Sequence, residues 1–259
     1  MKNYKIIAII LLIAFAKVGS AQNKHFPTQG TIEFEKRINM YALLKEMSKK
    51  MPENTYFPAM IEEYQKRSPQ FKSLKSTLSF NGAQTLFTPI EAPIVQNDMF
   101  ADYPVILQNN TIATNTATQT SVVQKRVFEE LYLVKDSTRK INWKITNEIR
   151  NIAGYDCRRA NALVMDSIYV VAFYCDQIPV SGGPETFTGL PGMILGVALP
   201  YEHVTWFATK ISEVAVAEEK LKAPVKGKAV NNKALFDILS SAMKQHGSNG
   251  KEMLKALML

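Results

Sequence analysis

Cysteine and histidine are scarce in this 259-residue chain: Cys157 and Cys175 are the only cysteines, and His25, His203 and His246 the only histidines. No Cys-x-x-Cys is present and no histidine stands near either cysteine in sequence, so no metal-ligand set has a familiar spacing. Gly-x-Ser-x-Gly and His-Glu-x-x-His are also missing, which removes the usual signatures of a hydrolase nucleophile elbow and a zinc protease. The glycine-rich stretch lacks the Lys and Ser or Thr of a phosphate-cradling loop. With 12 glycines and 12 prolines, collagen-like and low-complexity architectures are excluded. A 46% apolar and 21% charged composition is that of a chain able to bury a core. A mean hydropathy of −0.09 speaks against a multi-pass helical membrane protein.

What is present first is an export signature. Lys2 and Lys5 precede an apolar run from Ile6 to Ala16, and Gly19-Ser20-Ala21 offers small residues before Gln22. A basic n-region, a short h-region and a small-residue cleavage site read as a signal peptide over 1–21. The run is shorter than the roughly 20 residues that span a bilayer. The expectation is a mature chain of one β-rich domain, 22–259, with no transmembrane segment. It would be exported to the periplasm or the outer membrane, or secreted. His25 would be the fourth mature residue, out of step with a copper motif that needs histidine at the third.

The formal charge is +8, and the leader carries Lys2, Lys5 and Lys17 with no acid. The remaining 28 basic and 23 acidic residues leave +5, an ordinary surface charge that argues against nucleic acid as a partner. The densest basic stretch, Lys220 to Lys228, is broken by Pro224 and Gly227 and reads as a solvated loop, or as a contact for anionic lipid.

Period-2 alternation predicts a strand over Thr31–Met40: Ile32, Phe34 and Ile38 share a face, apart from an in-phase Lys36. A helix over Tyr41–Lys50 follows, resuming near Met60–Lys66 after Pro52 and Pro58. Asn81-Gly82 suits a hairpin turn between Leu74 and Phe87. Residues 88–120 read as a polar excursion with one short strand. Val122–Val134 reads as strand, Asp136-Ser137 as a turn, and Ile141 to Ile152 as strand again. A hairpin around Met165-Asp166-Ser167, strands at Met193–Leu199 and Val204–Ile211, and an amphipathic helix at Asn231–Met243 complete the pattern. Ser248-Asn249-Gly250 breaks that helix before a short tail helix. Eight to ten strands with helices towards both ends predict an α+β fold: a predominantly antiparallel curved β-sheet with an N-terminal helical segment and C-terminal helices.

A three-residue loop at 165–167 would pair Val164 with Ile168 and, counting outward, set Cys157 opposite Cys175. Directly opposed residues approach closely enough for a disulfide, and an exported protein would permit one. Two free thiols and a shared metal remain as alternatives.

Residues 178–200, IPVSGGPETFTGLPGMILGVALP, hold five of the 12 glycines and four of the 12 prolines among strongly apolar neighbours. Leu190-Pro191-Gly192 is a natural tight turn. Around it the chain resembles the GLPGLI family of exported Bacteroidetes proteins. The matching residues are Ile141-x-Trp143-x-Ile145 and Ile152-Ala153-Gly154-Tyr155-x-Cys157-Arg158-Arg159-Ala160. They continue through Phe173-Tyr174-x-x-x-Ile178-Pro179-Val180 to Gly183-Pro184-x-x-Phe187-x-Gly189-Leu190-Pro191-Gly192-Met193-Ile194-Leu195. Met193 stands where the family name has Leu, Gly196 where members often carry Glu, and Cys175 where Thr is usual. The resemblance implies an exported β-rich protein of unassigned activity, with a link to TonB-dependent outer-membrane receptors, and no catalytic or cofactor-binding residues.

Three functional expectations follow. The sheet binds an amphiphilic ligand in its concavity; or the Gly-Pro segment is the contact with an outer-membrane receptor; or an enzyme site is assembled from distant residues such as Glu33, Asp176 and Glu185. Ser181-Gly182-Gly183 and a Cys175–His203 dyad lack the partners that nucleophilic catalysis needs.

Overall fold

The computed structural model describes residues 26–50, 54–91, 100, 103–107, 109–244 and 247–259. Residues 1–21, read from the sequence as a signal peptide, and His25 and His246 lie outside the described residues.

The chain opens with β1 (Gln29–Asn39), which runs directly into helix α1 (Met40–Lys50), and α2 (Phe57–Arg67) follows. A meander comes next: β2 (Phe71–Asn81), β3 (Gln84–Pro89), β4 (Thr111–Asn115), β5 (Thr120–Val127) and β6 (Glu130–Ser137). A second meander holds β7 (Lys144–Ile152), β8 (Tyr155–Val164), β9 (Ile168–Cys175), β10 (Met193–Leu199) and β11 (Val204–Ser212). The three-residue strand β12 (Lys228–Val230) leads to helices α3 (Asn232–Met243) and α4 (Gly247–Met258).

The twelve strands form one sheet in the order β12-β6-β5-β4-β3-β2-β1-β11-β10-β9-β8-β7. The two meanders meet where β1 pairs with β11, and every pairing is antiparallel except β12 with β6. The sheet curls. Neighbouring strands lie about 4.8 Å apart, so a flat sheet would separate β5 from β9 by roughly 34 Å. Lys125 of β5 and Ile168 of β9 nevertheless line the same cavity. The alternation of β1 continues from strand to strand by register: Ile32 opposes Leu78, Leu78 opposes Phe87, Phe87 opposes Ile112 and Ile112 opposes Val123. All five are buried on the inner face. Across the other pairing, Lys36 opposes Trp206, Trp206 opposes Val197 and Val197 opposes Ala172. Leu43 and Leu44 of α1, Phe57 and Tyr64 of α2, Leu235 and Leu239 of α3 and Leu257 of α4 join the same core.

The α+β class, the mainly antiparallel sheet and the placing of helices towards both ends agree with expectation. Several local readings change. The strand expected over Val122–Val134 is two, β5 and β6, joined at Phe128-Glu129, with Phe128 in the left-handed region at φ 53°. The first hairpin pairs Asn81 with Gln84, so its loop is Gly82-Ala83, one residue later than the Asn-Gly reading. Positive φ falls on Gly82 at 55°. Asp136 does not turn the chain: it sits near the end of β6, and its Oδ2 accepts 2.9 Å from the backbone N–H of Asn232 at the start of α3. That bond and a second from the Ser137 amide hold its carboxyl below the ordinary value. Ser248-Asn249-Gly250 falls inside α4 and does not separate the two helices; residues 245–246 lie outside the described residues.

Candidate functional site

Period-2 alternation carries a side chain to one face whatever its polarity. Lys36 therefore enters the core between Phe34 and Ile38, and Lys125 enters between Val123 and Val127; they are 3% and 8% exposed. Both line one cavity of ≈ 60 Å³ inside the curl, with Trp206, Asn110, Glu185 and Leu257 among its walls. The Lys36 ammonium donates to the Leu107 carbonyl at 2.7 Å and stands 5.1 Å from the centre of the Trp206 ring. The Lys125 ammonium donates to the Leu257 carbonyl of α4 at 2.5 Å. Each ammonium has three donors, and one of the three is used in each case.

Among the described residues, the carboxylate lining this cavity at depth beside the lysines is Glu185, whose Oε2 accepts from Asn110 Nδ2 at 2.8 Å. Glu202 and Lys255, both half-buried, and the exposed Arg126 line it as well. Two buried ammoniums against one buried carboxylate leave an excess of positive charge in an apolar interior. Burial lowers each lysine to about 8, partly offset by Glu185, while Lys72 and Lys125 push Lys36 further down and Arg139 pushes Lys125. Among the described residues, the indole N–H of Trp206 and the Oδ1 of Asn110 are buried without a hydrogen-bond partner. Such orphaned groups are uncommon in folded proteins, because desolvation of a polar atom is not recovered elsewhere.

Helix α4 covers this cluster with its last turn. Arg139 donates from Nη2 to the Met258 carbonyl at 2.6 Å, its other terminal nitrogen has no partner, and burial lowers the guanidinium. The Thr186 hydroxyl donates to the Leu259 carbonyl at 3.0 Å. Cationic side chains and a hydroxyl thus meet the carbonyl-rich, negative end of the helix. Next to the cavity, sharing Val105 and Glu202 with it, is a cleft of ≈ 280 Å³ between α1 and α4. Its apolar walls are Leu43, Met47, Tyr103, Val105, Tyr201 and Met253, and Glu46, Lys50, His203 and Glu252 edge it.

Glu185 reaches the cavity from the Gly-Pro segment. The segment is seated, as a stiff bend: Ile178, Val180, Phe187 and Leu190 are buried. Ile194 N–H donates to Gly182 O, and Met193 N–H to Ile178 O. Trp143, just before β7, donates its indole N–H to Thr188 O at 2.9 Å, and Ser181 Oγ accepts from Gly189 N–H at 3.1 Å. Phe187 packs on Trp206 with centroids 6.3 Å apart. A Cβ on Gly183 would fall 2.7 Å from Phe187 O, and one on Gly192 2.2 Å from Cys175 O. Glu185 itself holds φ 52°, a left-handed conformation for a residue with a side chain. Pro184 is buried, whereas Pro179, Gly189 and Pro191 face solvent. The apolar side chains of this segment point inward.

Of the carboxylates named from sequence, only Glu185 reaches the cavity. Glu33 is on the outer face of β1 near Lys210, 3.5 Å away, and Asp176 is exposed. Gly154 forms the β7–β8 turn at φ 90°, and the Tyr155 hydroxyl donates to Glu213 at 2.6 Å; burial, then that bond, raises the phenol to about 12. Gly196 packs beneath Phe207, where a Cβ would fall 2.6 Å from the ring. The basic stretch Lys220–Lys228 is solvated at all four lysines.

The β8–β9 register runs from Val164 opposite Ile168 to Arg158 opposite Tyr174, which sets Cys157 beside Cys175. Cys175 shares its face with Phe173, which packs on Phe207; this is the face opposite Trp206 and the cavity. Both thiols are free and buried. Hydrogen bonding between the sulfurs, then burial, pushes Cys157 up, and the same bond holds Cys175 below an ordinary thiol.

Lys36 and Lys125 were legible as exceptions to alternation, and Lys36 stood out as such; Trp206 and Asn110 gave no signal. Among the described residues no group of three or more His, Cys, Asp or Glu is placed to hold a metal, and no helix is long and apolar enough to cross a membrane.

Comparison with known proteins adds little beyond the fold. A family described as a protein of unknown function (Porph_ging) matches residues 163–196, from the end of β8 through the Gly-Pro segment. No curated protein matches the chain. Among solved structures, PNGF-II in a C2 crystal form matches with a TM-score of 0.50 and 12% identity, over 87% of this chain and 32% of that one. A P21 form of PNGF-II gives 0.49 and 15%, over 83% and 34%. An uncharacterized conserved protein from Thermus thermophilus gives 0.39 and 6%, over 81% and 93%. The chain therefore spans about a third of the PNGF-II chains it matches, and these likenesses concern the fold alone.

Proposed function

We propose that this chain is an exported envelope protein of the GLPGLI type that holds an amphiphilic ligand in the concavity of its sheet. One observation carries the reading. A buried, positively biased cluster stands at the floor of an apolar interior and opens beside an apolar cleft of ≈ 280 Å³. Apolar walls with a few convergent polar groups are the usual anatomy of a ligand site. Export is supported by the leader-like residues 1–21, and the GLPGLI reading by the linked motif from Trp143 to Gly192. The same compartment would close Cys157 and Cys175 into a disulfide through exchange with a disulfide-bearing oxidant, which takes up the two electrons and two protons.

Purification from the native envelope under mild conditions, followed by native mass spectrometry, tests the ligand reading. A bound amphiphile, retained by the folded protein and released on denaturation, supports it. A ligand-free protein that also takes up no acyl probe in titration removes it. In the same sample the N-terminus should be Gln22, and alkylation in denaturant without reductant should modify neither cysteine; two modified thiols would contradict the disulfide.

A further inference from the structure

Resting on the amphiphile reading, we propose that the headgroup is a single carboxylate, held between the Lys36 and Lys125 ammoniums and the indole N–H of Trp206, with its alkyl chain in the α1–α4 cleft.

Charge selects the head. Arg126, Glu202 and Lys255 also line the cavity but reach solvent, where their charge is screened; Lys36, Lys125 and Glu185 are the deeply buried ionisable groups, so a monoanion would neutralise the excess at depth. A phosphate dianion would leave the floor negative against Glu185, and an alkylammonium would add to two cations already deprived of water. A neutral alcohol would leave the excess charge as it stands. Donors select it too. Both lysines keep spare N–H groups, and the Trp206 N–H is buried without a partner, whereas a carboxylate offers about four acceptor positions on two oxygens. Size agrees: ≈ 60 Å³ suits a compact planar head, and the shared walls Val105 and Glu202 make the cleft its continuation. The Leu257 carbonyl of α4 already accepts from Lys125, so an oxygen acceptor at this ammonium is part of the closed structure.

The test compares amphiphiles with one chain and different heads on the full protein: myristate, tetradecanol, tetradecyl phosphate and tetradecyltrimethylammonium, by calorimetric titration at pH 7. Myristate should bind at least tenfold more tightly than each of the others. Lys36→Met and Lys125→Met should each abolish that preference while leaving tetradecanol binding unchanged, which also shows that the variants are folded. Trp206→Phe, which keeps a ring and removes the N–H, should reduce it several-fold. The preference should fade as pH rises above about 8, where the lysines that face Glu185, Lys72 and Arg139 lose their protons. Equal binding of myristate and tetradecanol, or tighter binding of the phosphate, overturns the carboxylate assignment and leaves the amphiphile reading standing. Failure of all four probes to bind overturns both.

Discussion

At the scale of the residue, the unusual expense of this fold lies in two lysines. An ammonium held away from water and matched by only part of a carboxylate's charge destabilises the folded state unless something compensates. Burial lowers Lys36 and Lys125 from 10.5 to about 8. Between those values the unfolded chain holds protons that the folded chain has released, so stability rises as pH climbs from 8 to 10.5, by an amount on the order of 3 kcal/mol for each lysine. Urea unfolding at pH 7.5 and pH 10 should show this rise in the wild type and a smaller one in Lys36→Met. At pH 7.5 that variant should be as stable as the wild type or more so, by up to roughly 3 kcal/mol, because a buried cation becomes an apolar side chain of similar length. A loss of stability at pH 7.5 would mean that the ammonium is well compensated. Glu185 is the second tension at this scale, a buried side chain on a left-handed backbone. Glu185→Gly would relax the backbone and remove the counter-charge together, whereas Glu185→Gln separates the two effects.

At the scale of the element, the Gly-Pro segment is a brace, and its glycines are there for space. Gly192→Ala places a Cβ 2.2 Å from the Cys175 carbonyl and should lower stability by about 3 kcal/mol or more in thermal or urea unfolding. Gly82→Ala, at φ 55° with nothing within 4 Å of the new atom, should lose only about 1 kcal/mol from backbone strain. Equal losses at the two sites would contradict the packing role. Turn chemistry also decides what could be read from the sequence. The hairpin at 165–167 was legible down to its register because Met165-Asp166-Ser167 separates two β-rich runs, and that register alone put the cysteines side by side. Phe128-Glu129 hid a turn because neither residue breaks a strand, and the positive φ of Phe128 is imposed by the sheet, not preferred locally. The same logic explains the site. Alternation placed Lys36 inside, but nothing local in sequence joins it to Lys125, Asn110 and Glu185, since that requires the sheet to curl.

At the scale of the whole molecule, one curled twelve-stranded sheet packs its inner face against helices from both ends of the chain, and the C-terminal end of α4 covers the Lys125 side of the cavity. That end is held by carbonyl contacts to Lys125, Arg139 and Thr186, and nearer the middle of the helix Glu252 pairs with Lys50 of α1 at 3.3 Å, both of them partly exposed. The exposed pair contributes little, so the hold on this end of α4 rests on the three carbonyl contacts. Removing residues 247–259 should leave the strand signal in circular dichroism intact while increasing binding of an apolar dye several-fold; loss of the sheet itself would show that α4 is integral to the fold. On the proposed reading, the interior closed by α4 and floored by two lysines receives an anionic head. Nuclear magnetic resonance of the Lys36 and Lys125 ammonium groups, followed by pH with and without myristate, tests that most directly. Both amines should titrate near 8 in the free protein and move upward when myristate binds. Amines that titrate near the ordinary 10.5 and ignore the ligand would contradict it.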